Sequence, residues 1–531
     1  MKNVKLLARI AALMLATVTV LSFVSCGKLF DLLRGGDDTE ETGSTVDTNG
    51  DVKDTEGSSD SDVTESDDVT DSEEDEDADY FELEDAELNY KGVEFIVMMR
   101  NSDEHKSDFA VGFEGISAGM TALDMAVYKR NVAVQNLLGI KFVFVPAAMS
   151  GDERLDTVLS NNVSSGMEFY HLVANHGQYT FSHIQNQRAV DWTSLEYVNL
   201  ENSWWNQSAR TAWATPGGKV FAMNGDLSLM SVGNMSGIYY NKTIFENAQV
   251  TSPVEYVKNG TWTLENFKTV VKKVDASMVG DGSGTIETDT FAFAAQRYRY
   301  GVVIKSTGVE HLALGENGMY TVGIANNSRV VDAFESYNEL FDTGLAFYDS
   351  RDIGVKGGIR ERFKQESVAM TIDNLKCARD FAGNGTNFGI VPIFKYDDAV
   401  DGYPSTIGSG TNTFMIPITV KKDNREMVGA VVEAMAYYGQ INVIPAYYEQ
   451  ILLYQTTQDL NDRDMIELIH DTAVVDLASY GNFGKITEIE WRTMEGEYSS
   501  LSNAIEATQN KAITELGEYW YTLDYWWDSL N

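Results

Sequence analysis

The sequence is poor in cysteine, histidine, proline and positive charge. Of its 531 residues, 2 are Cys, 6 are His and 7 are Pro, and 40 Lys and Arg stand against 80 Asp and Glu, a formal net charge of −40. Two cysteines cannot form a disulfide framework. The excess of negative charge argues against a nucleic-acid partner. His171, His176 and His183 lie close in sequence, but without an H-E-x-x-H pattern or a nearby cysteine they do not predict a metal site.

The first 25 residues have the pattern of a secretory signal. A basic start precedes an apolar run over residues 10–24, which is shorter than the ~20 residues of a membrane-spanning helix. The run ends in Ser25-Cys26-Gly27, which resembles the bacterial lipoprotein signal, where the cysteine becomes the lipidated first residue of the mature protein. We expect residues 1–25 to be a lipoprotein signal peptide and Cys26 to attach the chain to membrane lipid, at the extracellular face of the cell membrane. An ordinary cleaved signal with a chance cysteine is the alternative.

Residues 26–89 are expected to form a disordered acidic tether. Nearly half of residues 37–79 are Asp or Glu, and Lys53 is their one cation. Such a segment cannot bury enough apolar surface to order itself, and the repulsion between its charges keeps it extended. The tether would hold a domain away from the membrane. Cation capture by the acidic run is the alternative.

The remaining 440 or so residues exceed one hydrophobic core and predict two lobes. Residues 92–98 and 140–145 have strand patterns, and residues 123–137 between them have apolar positions at helical spacing. This β-α-β order predicts a mostly parallel sheet covered by helices. Further helices are predicted at 431–444 and 465–477, followed by a helix-rich, aromatic segment at 487–530.

Several sequence blocks occur in a characteristic order. They are Gly218-Lys-Val-Phe-Ala-Met-Asn-Gly-Asp226, Gly237-Ile-Tyr-Tyr-Asn-Lys242, Gly260-Thr-Trp-Thr263, residues 363–372, Asn387-Phe-Gly-Ile-Val-Pro392 and residues 463–469. The set resembles the family 1 extracellular solute-binding proteins of ABC importers, the group that includes maltose-binding protein. The resemblance covers residues 90–483.

The resemblance implies an α/β, two-lobe periplasmic-binding-protein type II fold with a cleft between the lobes and a helical C-terminal segment. It implies one lobe from residues 90–223 and 373–418 and another from residues 224–372 and 419–531, with crossings near 222–226, 371–374 and 415–420. The expected function is capture of a small ligand, a carbohydrate, by a monomer that passes it to the permease subunits of an ABC importer. Peptides, amino sugars and uronic-acid oligomers are alternatives to a neutral glycan, and the acidity of the domain disfavours an anionic ligand. No cofactor is expected.

A sugar site needs aromatic faces for the ring and polar side chains for the hydroxyl groups. The candidates lie beside the crossings, at the end of the first strand, in the aromatic clusters and in the stretch where maltose-binding protein has ligand contacts. For each aromatic residue, packing in the core is the alternative. The twelve candidates are Arg100, Asn101, Gln178, Tyr179, Trp205, Trp213, Asn224, Asp226, Tyr239, Asp373, Asn374 and Tyr403.

Catalysis is not expected. Residues 115–119 fit the G-x-S-x-G pattern but lack the strong preceding strand that a nucleophile elbow requires. A secreted, lipid-anchored glycoside hydrolase and a cell-surface carbohydrate-binding adhesin remain as alternatives. Residues 280–287 resemble a calcium loop, but Ser277 and Val279 stand where such a loop has aspartate.

Some residues of the recurring blocks are expected to be structural. Thr263 or Thr261 can cap the helix that begins near Leu264. Trp262 and Lys242 are interpreted as residues that fix the fold rather than touch a ligand. Cys377 is expected to act as a small, buried apolar side chain.

Overall fold

The computed structural model describes residues 81–84, 86–101, 108, 120–147, 152–280, 282–283, 288–315, 319–350, 358–454 and 460–530. The signal peptide, Cys26 and the tether as far as residue 80 lie outside this part of the chain, as do residues 115–119 and most of 280–287. The tether ends earlier than predicted, because Phe81 and Leu83 are buried and the Phe81 ring stacks on Tyr437 with the centroids 3.9 Å apart. Two apolar side chains provide enough contact to hold residues 81–84 on the folded domain.

Thirteen strands are present among the described residues. They are β1 (Val93–Met99), β2 (Ile140–Pro146), β3 (Leu172–His176), β4 (Ser236–Asn241), β5 (Phe291–Gln296), β6 (Leu312–Leu314), β7 (Tyr320–Val322), β8 (Ala346–Asp349), β9 (Val368–Asn374), β10 (Phe388–Val391), β11 (Ser405–Thr406), β12 (Asn412–Met415) and β13 (Ala473–Val474).

The described helices surround these strands. The α-helices are α1 (Ala122–Leu138), α2 (Asp152–Ser165), α3 (Gly177–Gln185), α4 (Gln207–Trp213), α5 (Leu229–Gly233), α6 (Lys242–Ala248), α7 (Pro253–Lys258), α8 (Leu264–Asp275), α9 (Val302–Lys305), α10 (Ser328–Asp342), α11 (Ile359–Lys364), α12 (Ala378–Ala382), α13 (Arg425–Tyr438), α14 (Ile444–Leu453), α15 (Leu460–Asp471), α16 (Leu477–Gly481), α17 (Ile489–Met494) and α18 (Leu501–Asp528). Short 3₁₀ turns lie at Glu82–Glu84, Trp192–Ser194, Arg297–Arg299, Leu375–Cys377, Lys422–Asn424 and Phe483–Glu488, and a π-turn at Gly439–Val443 joins α13 to α14.

Two main sheets organise the domain. The four-stranded sheet has the order β12-β3-β1-β2, and the five-stranded sheet has the order β10-β4-β9-β5-β8. The parallel pairing predicted from the β-α-β pattern is found in β1 with β2 and β3, and in β5 with β8 and β9. Strands β4, β10 and β12 run antiparallel to their neighbours, so both sheets are mixed. Antiparallel pairing lets the chain enter and leave a parallel core without an extra crossover helix.

The sheet membership of one segment differs from the predicted lobe boundaries. Residues 373–418 were assigned to the first lobe, but Phe388–Val391 pairs with β4 in the five-stranded sheet. The chain returns to the four-stranded sheet only at β12. Met223 forms a bridge with Phe414, so the segment near the predicted first crossing still lies against the four-stranded sheet.

Helix ends follow local capping rules. The Thr121 side chain accepts a hydrogen bond from the backbone N–H of Asp124, whose carboxylate accepts one in return, and α1 ends at Gly139 with φ of 62°. Thr263 caps α8 through the N–H of Asn266, which confirms the predicted cap. Capping residues thus set boundaries that sequence patterns could locate.

Two predicted helices are bounded differently in the structure. The helix predicted at 431–444 begins earlier, at Arg425, and passes into the π-turn at Gly439, where a Cβ would overlap the carbonyl oxygen of Asp226. The helix predicted at 465–477 ends at Asp471, because Ala473–Val474 leaves it to pair with β11. In both places a distant segment of chain overrides the local helical pattern.

The helix-rich, aromatic C-terminal segment is present as predicted. Its longest helix, α18, runs over 28 residues, and Trp520 and Trp527 are buried. The Asp524 carboxylate accepts a hydrogen bond from the backbone N–H of Gly217 at 2.8 Å. Among the described residues, no helix is both long enough and apolar enough to cross a membrane.

Candidate functional site

A cavity of about 680 Å³ lies where strands of both sheets end. We call it the central cavity. From the four-stranded sheet it receives His176 at the end of β3 and Gly410 just before β12, and from the five-stranded sheet it receives Asn374 at the end of β9 and the turn Arg297–Arg299 after β5. Ligands of α/β folds bind outside the carboxyl ends of parallel strands. The position therefore matches a ligand site contributed by both sheets.

The remaining wall of the central cavity comes from the C-terminal part of the chain. The described lining residues there are Val474, Asp476, Ser479, Asn482, Thr487, Glu488, Glu490 and Trp491.

A buried carboxylate with two arginines lies beside the central cavity. Arg360 donates to Asp373 through Nε at 2.5 Å and through Nη2 at 2.8 Å, and Arg299 Nη2 lies 3.4 Å from the same carboxylate. Burial acts to raise the pKa of Asp373, but the hydrogen bonds from Arg360 and the charges of both arginines hold it below the usual range. Asp373 is therefore ionised and orients Arg299, which lines the cavity.

A second charge cluster forms part of the cavity wall. Lys305 Nζ and His311 Nδ1 each lie 2.8 Å from Asp476 Oδ2, and His311 Nε2 lies 3.0 Å from Glu490 Oε1. Burial acts to lower the pKa of His311, but the carboxylates of Asp476 and Glu490 raise it to about 9. His311 therefore carries a proton at neutral pH, and both of its ring nitrogens donate.

Aromatic surface is available at the central cavity. Tyr298 lines the cavity and is 58% exposed. The guanidinium carbons of Arg297 and Arg492 lie 4.5 and 4.8 Å from the ring centre of Trp491. Since Trp491 already has these cation contacts, Tyr298 offers the more accessible face for stacking.

The structure brings some of the twelve candidates to the central cavity. Gln178 and Asn374 line it. Arg100 donates through Nη1 to the carbonyl oxygen of Gly410 at 2.7 Å, so it contacts a lining residue. Tyr179 is half-buried, with its ring centroid 5.6 Å from that of His176. Asn101 is half-buried two residues after β1, and neither it nor Tyr179 is among the described lining residues.

Three candidates are enclosed in the core instead. Trp213 Nε1 donates to Asn224 Oδ1 at 3.1 Å, and Asn224 Nδ2 donates to the carbonyl oxygen of Asn412 at 3.0 Å. The Tyr239 hydroxyl donates to the carbonyl oxygens of Asn374 and Leu375. All three side chains are fully buried. Proximity to a crossing did not bring them to the cavity, because their hydrogen-bonding groups are directed at backbone and side chains of the core.

Trp205, Asp226 and Tyr403 line a different cavity, of about 660 Å³. Ile407 and Val474 line both cavities, so the ribbon of β11 and β13 lies between them. His470 Nε2 lies 3.0 Å from Asp226 Oδ1. The ribbon therefore separates Trp205, Asp226 and Tyr403 from Gln178 and Asn374, although the sequence predicts one cleft for all five.

Sequence reasoning missed the charged and aromatic residues of the central cavity. Arg299 and Tyr298 belong to Arg-Tyr-Arg directly after β5, and a polar and aromatic run at the carboxyl end of a strand is a usable signal. His311, Asp476 and Glu490 are distant in sequence and carry no such signal. Only the folded chain brings them within hydrogen-bonding distance.

The central cavity therefore combines hydrogen-bond donors, carboxylate acceptors and an exposed ring. Such a set can bind a polyhydroxylated ring, whose hydroxyl groups both donate and accept. Within the described residues, no group of three or more His, Cys, Asp or Glu side chains is arranged to hold a metal ion.

The fold is shared with solved structures of binding proteins. The GacH receptor of Streptomyces glaucescens, solved unliganded and with acarbose, superimposes with a TM-score of 0.51 at 15% identity, over 80% of this chain and 99% of that one. The cyclic alpha-maltosyl-1,6-maltose binding protein of Arthrobacter globiformis gives 0.52 at 13% identity, over 80% and 100%. The galacto-N-biose-/lacto-N-biose I-binding protein of the ABC transporter of Bifidobacterium longum gives 0.51 at 13% identity, over 81% and 98%.

No protein-family model matches the chain, and no curated protein matches it. At identities this low, the structural likeness establishes the fold. The α/β, two-lobe fold predicted from the sequence is thus confirmed by these likenesses and by the two mixed sheets.

Proposed function

We propose that the chain is the extracellular solute-binding protein of an ABC importer and that it binds a carbohydrate in the central cavity. The main support is the cavity of about 680 Å³ lined by strand ends of both sheets. The similar structures come from proteins whose names or bound ligands include acarbose, maltosyl-maltose and lacto-N-biose, which supports a sugar as the ligand class. A monomer would then close its lobes over the ligand and deliver it to the permease.

Within this proposal the residues have distinct roles. Gln178 and Asn374 contact the sugar hydroxyl groups, and Tyr298 stacks on a ring face. Arg100 holds the Gly410 carbonyl that precedes β12. Gln178, Asn374 and Arg100 are candidates from the sequence, and the exposure of Tyr298 at the cavity supports its inclusion in the proposed site.

A carbohydrate panel tests the binding function. We expect at least one oligosaccharide to raise the free energy of unfolding by about 2.7 kcal/mol at a hundredfold excess over its Kd, because it binds only the folded state. Its binding should also reduce the radius of gyration measured by small-angle scattering, without any cleavage of the sugar. A panel with no binder contradicts the proposal, whereas release of cleaved product identifies a glycoside hydrolase, and tight binding without lobe closure an adhesin.

Tyr298→Ala tests whether the bound sugar stacks on the Tyr298 ring. Loss of one stacked ring is expected to weaken sugar binding by about tenfold. Tyr525→Ala is the matched control, because Tyr525 is 81% exposed and is not among the described residues that line the cavity. Equal affinities of the two variants would remove Tyr298 from the site.

We also propose that Cys26 carries a lipid that anchors the chain at the extracellular face of the membrane. The support is the signal-like sequence before it and the acidic tether after it. Cys26→Ala should move the protein from the detergent phase to the aqueous phase in a Triton X-114 partition and abolish palmitate labelling. Cys377→Ala is the matched control, since Cys377 is the other cysteine and is buried. Unchanged partition of the Cys26→Ala variant would reject the anchor.

A further inference from the structure

We infer that the carbohydrate bound in the central cavity carries a carboxylate, which Arg299 binds. This inference rests on the proposed function and specifies the ligand class of the same site. Arg299 carries a guanidinium group that the described residues leave incompletely paired.

Asp373 is already paired with Arg360, so the positive charge of Arg299 is not neutralised by this carboxylate. Arg360 contacts both oxygens of this carboxylate, at 2.5 and 2.8 Å, and the backbone N–H of Asn374 adds a third hydrogen bond at 2.9 Å. Arg299 reaches it only through Nη2 at 3.4 Å. Two guanidinium groups thus share one carboxylate, so the cluster carries a net positive charge inside a strongly acidic protein.

The Nε atom of Arg299 is buried and has no hydrogen-bond partner among the described residues. A buried donor without a partner is unfavourable unless a ligand supplies an acceptor. The Nε and Nη groups of arginine form a planar fork that matches the two oxygens of a carboxylate. The side chain is 11% exposed and lines the central cavity, so part of the guanidinium-bearing side chain is accessible from it.

The other Arg, Lys, Asp and Glu side chains described in the cavity wall are better paired. Each has an oppositely charged partner within 3.0 Å. These pairs are Arg297 with Glu495, Lys305 with Asp476, Glu490 with His311, and Glu488 with Arg492. Arg299 is therefore the lining cation with the weakest internal partner.

Two acceptors complete the pattern. Asn374 Oδ1 and Glu490 Oε2 are buried and find no hydrogen-bond partner in the described part of the chain, and both residues line the cavity. Acceptors of this kind suit the hydroxyl groups of a sugar, which donate. A cationic ligand would instead be repelled by Arg299. One positive fork and two hydroxyl acceptors together fit a uronic acid better than a neutral or an amino sugar.

Titration calorimetry on the purified full-length chain tests the inference. The probes are uronate trisaccharides of galacturonate, glucuronate and mannuronate, each with its neutral methyl ester, together with maltotriose, lacto-N-biose and a sugar phosphate. We expect one uronate to bind at least about tenfold more tightly than its methyl ester, because a charged hydrogen-bonded pair is lost on esterification. Raising the salt concentration should reduce this preference.

Arg299→Gln is expected to remove the preference for the acid and to leave the affinity for the methyl ester within about threefold. The fold should persist, since Asp373 keeps both bonds to Arg360. Arg329→Gln is the control, because it also removes an arginine that is paired with an aspartate, Asp397, and Arg329 is not a described lining residue. This variant should retain the preference.

The outcomes separate the two proposals. If neutral sugars bind as tightly as uronates, or if Arg299→Gln keeps the preference, the carboxylate inference is overturned and the sugar-binding function stands. Tightest binding of the sugar phosphate would reassign Arg299 to phosphate. If no sugar of either kind binds, the proposed function itself fails. Should Arg299→Gln not fold, the comparison of acid with ester in the unaltered chain decides.

Discussion

Replacing Asp476 with asparagine is expected to lower the free energy of unfolding by about 3–5 kcal/mol, since it leaves the buried charge of Lys305 without its carboxylate partner. Asp476 Oδ2 lies 2.8 Å from both Lys305 Nζ and His311 Nδ1, and all three side chains are less than a tenth exposed. The amide oxygen of asparagine can still accept a hydrogen bond but carries no full charge, and its amide nitrogen only donates, so it cannot accept from Lys305 or His311. Urea-induced unfolding at pH 7 measures the change.

Asp397→Asn is the matched control for Asp476→Asn. Asp397 also pairs with a cation, Arg329, but its side chain is 43% exposed. An exposed pair contributes about 0–1 kcal/mol because water solvates the separated charges. Similar losses of stability in the two variants would show that the cluster of Asp476, Lys305 and His311 has no special role in the fold.

The second large effect is a dependence of stability on pH that comes from Glu433. Its side chain is 3% exposed and accepts hydrogen bonds at 2.9 Å from Asn202, Trp204 and Trp205. Burial raises the pKa of Glu433 to about 7, although the three hydrogen bonds oppose the rise. The folded state therefore holds this proton more tightly than the unfolded state, in which the pKa is about 4.3.

The sign of the effect follows from this difference. The contribution of Glu433 to stability is largest below about pH 4.3 and is lost as the pH rises towards 7. The loss amounts to roughly 3 kcal/mol. Glu433→Gln does not titrate, so the stability of the variant relative to the unaltered chain should rise by about this amount between pH 4.5 and 7.5. Urea unfolding at several pH values gives the difference.

Glu426→Gln provides the comparison on the same helix. Glu426 is exposed on α13, where it accepts a hydrogen bond from the Tyr90 hydroxyl at 3.0 Å. Its substitution should change stability by less than about 0.5 kcal/mol, as is usual for surface positions. If the curves for Glu433→Gln and the unaltered chain run parallel over this pH range, burial of Glu433 does not control the titration.

Local structure was the most predictable part of this protein. The strand, helix and strand at the start of the domain were located within one or two residues, because apolar periodicity and a capping residue mark them. Thr263 was placed correctly for the same reason. Trp262 has the structural role expected, since its Nε1 donates to the carbonyl oxygen of Pro392 in the core. Cys377 is buried, as predicted.

Segments governed by distant contacts were less predictable. The helix predicted to continue to 477 stops at Asp471, because Ala473–Val474 pairs with Ser405–Thr406. Phe388–Val391 joins the five-stranded sheet rather than the predicted first lobe. A local sequence pattern does not indicate which partner strand will be available.

The candidate site was likewise predictable only in part. Asn374 and Gln178 were found from their place beside a predicted crossing and in a resembling segment, and both line the central cavity. Trp213, Asn224 and Tyr239 were chosen on similar grounds, yet they are enclosed in the core. A position near a crossing is therefore not enough, because the direction of a side chain depends on what packs around it.

The sequence by itself determined the α/β character, the length sufficient for two lobes, the positions of the first strands and helix, and the acidity of the chain. These properties follow from composition, periodicity and capping, which are local. Only the tertiary structure decided that Arg299, Glu490 and Asn374 meet in one cavity, and that Trp205 and Asp226 lie in another. Hydrogen bonds and ion pairs depend on distances of about 3 Å between side chains that are far apart in the chain, and folding alone sets those distances.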